Sequence, residues 1–241
     1  FLVLDWKRNY RDLLQLKACE GMQVFTAGQK IAPFHFNPFV APKGLNSEQQ
    51  ESYVRSIIAL VVETYITNPQ LLSFHGVEYL LLKAVNSFRV KSITPDFEKL
   101  QQWVNSYKGS FRESDWKYTL LNCLYKLTTG SCANVYNAND SGFEFESVLK
   151  KPVVLELDAF GSERDKGFLV EALLLWIYHY RKLQPTRETL EHVTLIEEAH
   201  HILKKSEKST EPISEIVFRE IREFGEGLIF VDQNPSQISV S

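Results

Sequence analysis

Five short apolar runs constrain this chain more than any other feature: Phe1–Asp5 (FLVLD), Gln23–Ala27 (QVFTA), Val153–Asp158 (VVLELD), Val193–Glu197 (VTLIE) and Leu228–Asp232 (LIFVD). Most are continuous rather than alternating. A strand wetted on one face alternates apolar and polar residues, whereas a continuous run signals cover on both faces, the condition of a parallel sheet. Three runs end on a carboxylate, at Asp5, Asp158 and Glu197, and the last leads into Asp232 and Gln233. Polar groups at the carboxyl ends of parallel strands are where an open α/β sheet binds its ligand. The chain is therefore expected to be α/β, with a ligand site along one edge of a largely parallel sheet.

The stretch between the second and third runs reads as helical. Asn46–Ser47–Glu48 caps a helix over Gln49–Ile66, in which Val54, Ile57, Ile58, Val61, Val62 and Tyr65 share one face. Further helices are expected over Gly76–Ser87, Asp96–Tyr107 and Glu113–Leu127, with Thr94–Pro95 as the entry signal of the middle one. A helical insertion of this length is expected beside the sheet, at its rim. Helices over Ser162–Leu183 and Ile213–Phe224 return the chain to the sheet, and Lys204–Pro212 (KKSEKSTEP) reads as a mobile linker. There is no internal repeat.

Composition removes several function classes. With 44% hydrophobic and 24% charged residues, the chain is neither disordered nor of low complexity. A formal charge of -3 gives no global basic excess, so any DNA contact has to come from a local patch or an assembled ring. Lys7, Arg8 and Arg11 form such a local cluster, readable as a solvated loop or as a surface facing a ring's channel. Three cysteines without a Cys-x-x-Cys pair fit a reducing compartment and exclude a zinc site of that type. The longest apolar stretch, Phe168–Tyr180, contains Glu171 and His179 and falls short of the roughly 20 residues of a bilayer span. The opening residues lack the layout of a signal peptide. No membrane span is expected, and the location is expected to be cytoplasmic.

The chemistry-bearing segment is HVTLIEEAHHIL, residues 192–203. It delivers two adjacent carboxylates, Glu197 and Glu198, at a strand's end. Neighbouring residues on extended backbone point to opposite sides, so one carboxylate can face a metal ion and the next an attacking water. Nucleotide hydrolysis needs that division. The plainer reading is an acidic strand–helix junction that favours the positive end of a helix. Glu197-x-x-His200 also has the spacing of a carboxylate di-iron site, but the one other Glu-x-x-His, Glu198-x-x-His201, overlaps it on the same segment instead of lying on a second helix, and the preceding residues form a strand. His200 and His201 read as a hydrogen-bonding residue at a helix start and a solvated neighbour.

The second segment is FREIREFGEGLIFVDQNPSQIS, residues 218–239. Arg219 and Arg222 lie three apart on one helix face, and Gly225 stops that helix. They read either as salt-bridge partners of Glu220, Glu223 or Glu226, or as a cationic finger that reaches a neighbouring subunit's triphosphate. Gln233 reads either as a cap of the turn before Pro235 or as a sensor of a γ-phosphate at the strand end.

Together, EEAHHIL and REIREFGEGLIFVDQNPSQI resemble the second half of the HerA/FtsK-type P-loop ATPases: a hydrophobic strand, Asp/Glu-Glu-Ala-His, a helix with Arg, a glycine, a strand and Gln-x-Pro-Ser. FLVLDWKRNYRDLL resembles the family's second strand, FHFNPFVAPKG its Asn-Pro segment and KKPVVLELDAF the strand before a long helix. The resemblance covers nearly the whole chain, including helical insertions like those of the conjugation and type IV secretion ATPases. It implies a RecA-like core of the ASCE P-loop class, a largely parallel sheet flanked by helices. Residues 1–45 and 151–241 would form the two parts of that core, and 46–150 a mainly helical insertion.

The roles implied by the resemblance are specific. Glu197 would help hold magnesium, Glu198 would activate water, Gln233 would sense the γ-phosphate, Arg222 or Arg219 would act in trans, and Asp5 would lie near the magnesium or a subunit contact. The cofactors would be ATP and magnesium. The partners would be double-stranded DNA and further copies of the chain, as a hexameric ring working as a DNA translocase or helicase. The alternative is a nucleotide-regulated ring scaffold that organises a nuclease or other effector, for example in antiviral defence. Two departures qualify the match. No Gly-x4-Gly-Lys-Ser/Thr loop occurs in the 241 residues, so the phosphate cradle is expected upstream of Phe1. Asn9 stands where the family has Glu, leaving that position without an assigned role.

Overall fold

In the computed structural model, which describes residues 1–66, 73–137, 144–187, 189–203 and 213–233, the apolar runs become strands of a single sheet. The strands are β1 (Leu2–Asp5), β2 (Gln23–Ala27), β3 (Pro33–Phe34), β4 (Val153–Glu156), β5 (His192–Glu197) and β6 (Glu226–Val231). Their order is β3-β2-β4-β1-β5-β6, and every neighbouring pair is parallel. All five expected runs are therefore strands; among the described residues, only the two-residue β3 had no signal in the sequence.

Strand register sorts the side chains into two faces. Phe25, Leu155, Leu4, Ile196 and Phe230 stand side by side across five strands. They join the main core with the helices. The adjoining row, Val24, Val154, Val3, Leu195 and Ile229, points the other way. Its central members pack with Met22 under a short stretch of 3₁₀ turns over Arg11–Gln15 and Lys17–Cys19. Cover on this second face thins outward. Val154 and Val3 are buried, Leu195 is half-buried, and Ile229 and Val231 are 48% and 40% exposed.

The helices are α1 (Ser47–Tyr65), α2 (Ser73–Arg89), α3 (Phe97–Ser106), α4 (Phe111–Leu127), α5 (Gly130–Tyr136), α6 (Phe145–Val148), α7 (Glu163–Leu183) and α8 (Ile213–Glu220). Asn46 closes a capping box with Gln49 at the start of α1, as the sequence leads one to expect. At α3 the cap is Asp96, whose carboxylate accepts the Lys99 N–H, so Thr94–Pro95 lies just outside the helix it announces. The helix ending at Glu220 continues as a 3₁₀ turn to Phe224 and stops at Gly225, which adopts a left-handed φ of 79°. A Cβ there would meet the Thr189 carbonyl oxygen at 2.6 Å.

The helical stretch meets both the β2–β3 edge of the sheet, through α5, and the helix α7. α1 packs directly on α7, and Tyr53–His179, Tyr65–Phe168, Phe97–Phe168 and Tyr136–Phe168 ring contacts join it to the central helix. Burial there pushes the His179 pKa down to about 4. The apolar stretch Phe168–Tyr178 is the buried body of α7. Among the described residues, no helix is long and apolar enough to cross a membrane. The linker-like Lys204–Pro212 and the Asn-Pro-Ser-Gln after Gln233 lie outside the described residues.

Candidate functional site: a row of carboxylates under the β1 loop

The second face of the sheet ends, at its carboxyl edge, in acid. Glu156 pairs in register with Asp5, and Glu197 follows Leu195 on the adjoining strand, so three carboxylates from β4, β1 and β5 extend the row begun by Val154, Val3 and Leu195. All three are buried. Buried carboxylates need donors or cations, and residues 6–11, which follow β1, supply them.

Asp5 takes the backbone N–H groups of Lys7 (3.0 Å) and Tyr10 (3.3 Å), which folds the loop back over the strand end. Glu156 receives two bonds from the Arg11 guanidinium (2.5 and 2.7 Å) and one from the Thr26 hydroxyl (3.0 Å), with Arg8 at 3.5 Å. Burial pushes the Glu156 carboxyl up, but the Arg11 and Thr26 bonds and the two positive charges outweigh it and hold the group below the usual range. Glu197 differs. It accepts the Trp6 backbone N–H (3.1 Å) and the Asn9 amide (3.2 Å), both uncharged. Burial first, and then the neighbouring Asp5, raise its pKa. The same neighbourhood pushes the Tyr10 hydroxyl up to about 12, through burial and then the charge of Glu197. Asn9, which stands where the resemblance leads one to expect Glu, thus has a contact with the site.

Glu198 leaves the strand in a different way from that expected. It is not extended but left-handed, at φ 49° and ψ 47°. The two carboxylates are separated by this turn of the backbone rather than by strand alternation. Gln233, at the end of β6, donates to Glu198 Oε1 at 3.3 Å, and Lys7 Nζ lies 2.5 Å from the same oxygen. His200 is anchored to Asp232, which accepts both its backbone N–H (2.7 Å) and a contact from Nδ1 (2.8 Å). His201 is not a solvated neighbour: it stacks on Trp6 at 5.3 Å and 5°, and its Nε2 lies 3.3 Å from Glu163.

The structure therefore brings together Asp5, Glu197, Glu198 and Gln233. It adds Glu156, Lys7, Asn9 and Asp232, which were not singled out as site residues. The signal for Glu156 is its parity with Val154, two residues earlier on the same strand. Asp158 lies beyond the strand, exposed, and pairs with Arg8 at 2.7 Å. The basic cluster Lys7–Arg8–Arg11 is accordingly not a free solvated loop; each member is paired with an acid of the strand ends.

Arg219 and Arg222 are elsewhere. Both precede β6, whose start lies beside the start of β5. Arg222 is separated from the Glu197 end by the six residues of β6, about 20 Å at 3.3 Å per residue. Two of the acids that could have paired with them are engaged otherwise. Glu220 takes the Tyr178 hydroxyl, and Glu226 is buried with Arg181, His192 and Thr194. Glu198, His200 and His201 each offer a ligand atom within 4.8 Å of one another, but the two Glu-x-x-His spacings of the sequence, Glu197–His200 and Glu198–His201, overlap on one segment and do not supply the two helices of a di-iron centre.

The donor set suits a hard divalent cation. Glu197 is a buried carboxylate beside Asp5 whose hydrogen-bond donors, the Trp6 N–H and the Asn9 amide, are uncharged, and its raised pKa expresses the cost of holding charge there. Glu198 and Gln233 present an acceptor and an amide on the neighbouring side.

No protein-family model and no curated protein matches the sequence. Solved structures do match the fold. VirB4 of Thermoanaerobacter pseudethanolicus superposes with a TM-score of 0.66 at 13% identity, over 98% of this chain and 62% of that one. The bacterial conjugative coupling protein TrwB, in its unbound form, gives a TM-score of 0.65 at 13% identity, over 98% of this chain and 56% of that one. TrwB has also been solved with ADP and Mg2+; that structure matches with a TM-score of 0.59 at 14% identity, over 98% of this chain and 57% of that one. The chain spans 56–62% of the length of these structures. The parallel sheet flanked by helices is thus the RecA-like fold expected from the sequence, shared with the VirB4 and TrwB structures.

Proposed function

We propose, from the fold shared with VirB4 and TrwB, that this chain is the hydrolytic part of an ATP-driven DNA translocase that works as a ring. The observation that carries the reading is the meeting of Glu197, Glu198, Asp5 and Gln233 at the carboxyl ends of β1, β5 and β6. Glu197, with Asp5 beside it, would hold magnesium, which when bound offsets the negative charge of the phosphates. Glu198 would orient a water and accept its proton as the water's oxygen attacks the terminal phosphorus and the bond to ADP breaks. Gln233 would donate a hydrogen bond on the γ-phosphate side. The sequence contains no phosphate-cradling loop, so the cradle is not among these residues.

Arg222 supports a ring in particular. An arginine side chain cannot cover about 20 Å within its own chain, so a catalytic role for Arg222 requires the nucleotide of a neighbouring copy. A hexamer and double-stranded DNA as the transported polymer belong to this proposal.

The test uses a protein that carries this chain together with a phosphate loop. Glu198→Gln should keep ATP binding while turnover falls by about a hundredfold or more, the scale on which a general base contributes. Turnover near the parent's would end this reading.

A further inference from the structure

Arg222 is exposed, as is Glu223 beside it, but the residues that bracket them are fastened to the last turns of α7. On the amino-terminal side, Glu220 accepts a hydrogen bond from the Tyr178 hydroxyl. The Tyr178 oxygen in turn accepts from Lys182 Nζ at 3.1 Å. Burial first, and then the Glu220 carboxylate, push that hydroxyl above its usual range, so it stays protonated and keeps donating. On the carboxyl-terminal side, Phe224 meets the Tyr178 ring edge-on at 6.0 Å and 75°. The Lys182 ammonium and the Arg187 guanidinium lie 5.6 and 4.8 Å from the centre of the Phe224 ring.

The exit from the turn is fastened as well. Gly225 donates its N–H to the Arg222 carbonyl at 3.1 Å and accepts the Glu191 and His192 N–H groups at 2.9 and 3.2 Å. Glu226 is buried where β6 begins, and takes Arg181 of α7 at 2.9 Å and His192 and Thr194 of β5 at 2.7 Å each. Apolar residues of similar volume often serve stability as well as a buried ionic group does. What the polar group adds is one defined arrangement, because each of its bonds has a direction. The 3₁₀ turn between these anchors is tighter than an α-helix and has poorer internal hydrogen bonds, so contacts from outside hold its shape.

We infer that Tyr178 and Glu220 form a positioning pair that sets the direction in which Arg222 leaves the chain, and so the geometry with which it meets the nucleotide of a neighbouring copy. The inference rests on the proposed action of Arg222 across the interface. A misplacement of about 1 Å can cost about a hundredfold in rate. Tyr178 reaches both ends of the turn: its hydroxyl holds Glu220 and its ring meets Phe224. Removing the hydroxyl frees the amino-terminal end of the turn and leaves the ring contact in place.

The experiment measures ATP turnover of the intact protein that carries this chain with a phosphate loop, for Tyr178→Phe alone and in mixed rings with demonstrated subunit exchange. Alone, Tyr178→Phe should lower kcat at least about threefold while KM changes less than about twofold. Mixed with Glu198→Gln, it should turn over faster than the average of the two proteins alone, because sites with an intact Glu198 and a well-placed Arg222 reappear. Mixed with Arg222→Ala, it should not exceed that average, since both defects fall on the same side of the interface. A loss through the chain's overall fold would reach its own site too, and would gain nothing from Glu198→Gln. Unchanged kcat, or no gain over the average with Glu198→Gln, overturns the inference. Should Tyr178→Phe not fold, Glu220→Ala takes its place with the same expectations. The mixture of Arg222→Ala with Glu198→Gln separates the two ideas. No recovery there removes the action of Arg222 across the interface, and the positioning pair with it. Recovery there, with none for Tyr178→Phe, removes the pair alone.

Discussion

At Glu156 one buried carboxylate faces two arginines, and the balance of burial against charge decides what it contributes. The net effect holds its pKa down. A depressed carboxylate adds stability above the ordinary carboxylate pKa, and that stability is lost as pH falls through the folded-state value. Glu156→Gln should therefore destabilise the chain by about 2 kcal/mol at about pH 7, below the figure for a wholly buried pair because Arg11 is half exposed. Urea unfolding should show the difference shrinking by about pH 3. A difference that does not change with pH would deny the charge pairing. Single residues were legible in the sequence where a motif spans a strand end, as at Glu197, Glu198 and Gln233. Glu156 and Lys7 were not, because their partners lie 145 and 191 positions away along the chain, and only strand order brings them together.

Elements were easier to read than their contacts. The runs that became β1, β2, β4, β5 and β6 were visible because a strand covered on both faces cannot afford polar interruptions, and α1 and α7 because their apolar faces and caps are local. β3 is too short to carry a period, and the packing of α1 onto α7 has no local signature at all. The contact between α2 and α4 makes the same point. A Cβ at Gly76 would lie 2.1 Å from the Trp116 ring. Alanine gains about 1 kcal/mol over glycine inside a helix, while overpacking costs about 1–3 kcal/mol. At 2.1 Å the second term wins, so Gly76→Ala should lower stability by about 1 kcal/mol. The loss should be smaller in a Trp116→Leu background when both are followed by thermal unfolding. Equal losses in the two backgrounds would mean that the ring does not set the helix separation.

At the scale of the assembled molecule, the distance of Arg222 from Glu198 becomes a prediction about mixtures. Arg222→Ala and Glu198→Gln should each depress ATP turnover. Rings formed from both should recover part of it, because a site between an intact Glu198 and an intact Arg222 reappears at some interfaces. Mixed rings with demonstrated subunit exchange and no recovery would exclude action across the interface. A division of labour between chains, as the proposed ring would have, is one thing no single sequence displays, since its motif residues look the same whether they serve their own site or the next.

The uneven cover of the sheet's second face also fixes where order is lost first. Val154 and Val3 are sealed, whereas Ile229 and Val231 meet water on an edge strand, and few buried apolar contacts together with exposed ladder bonds lower the local opening energy. In deuterium exchange the amides of β1 and β4 should outlast those of β6, and equal protection along the row would contradict this. Gln233 is the second residue after β6. Whatever comes to lie against Ile229 and Val231, in any assembly this chain joins, would therefore stiffen the amide beside Glu198 without touching it.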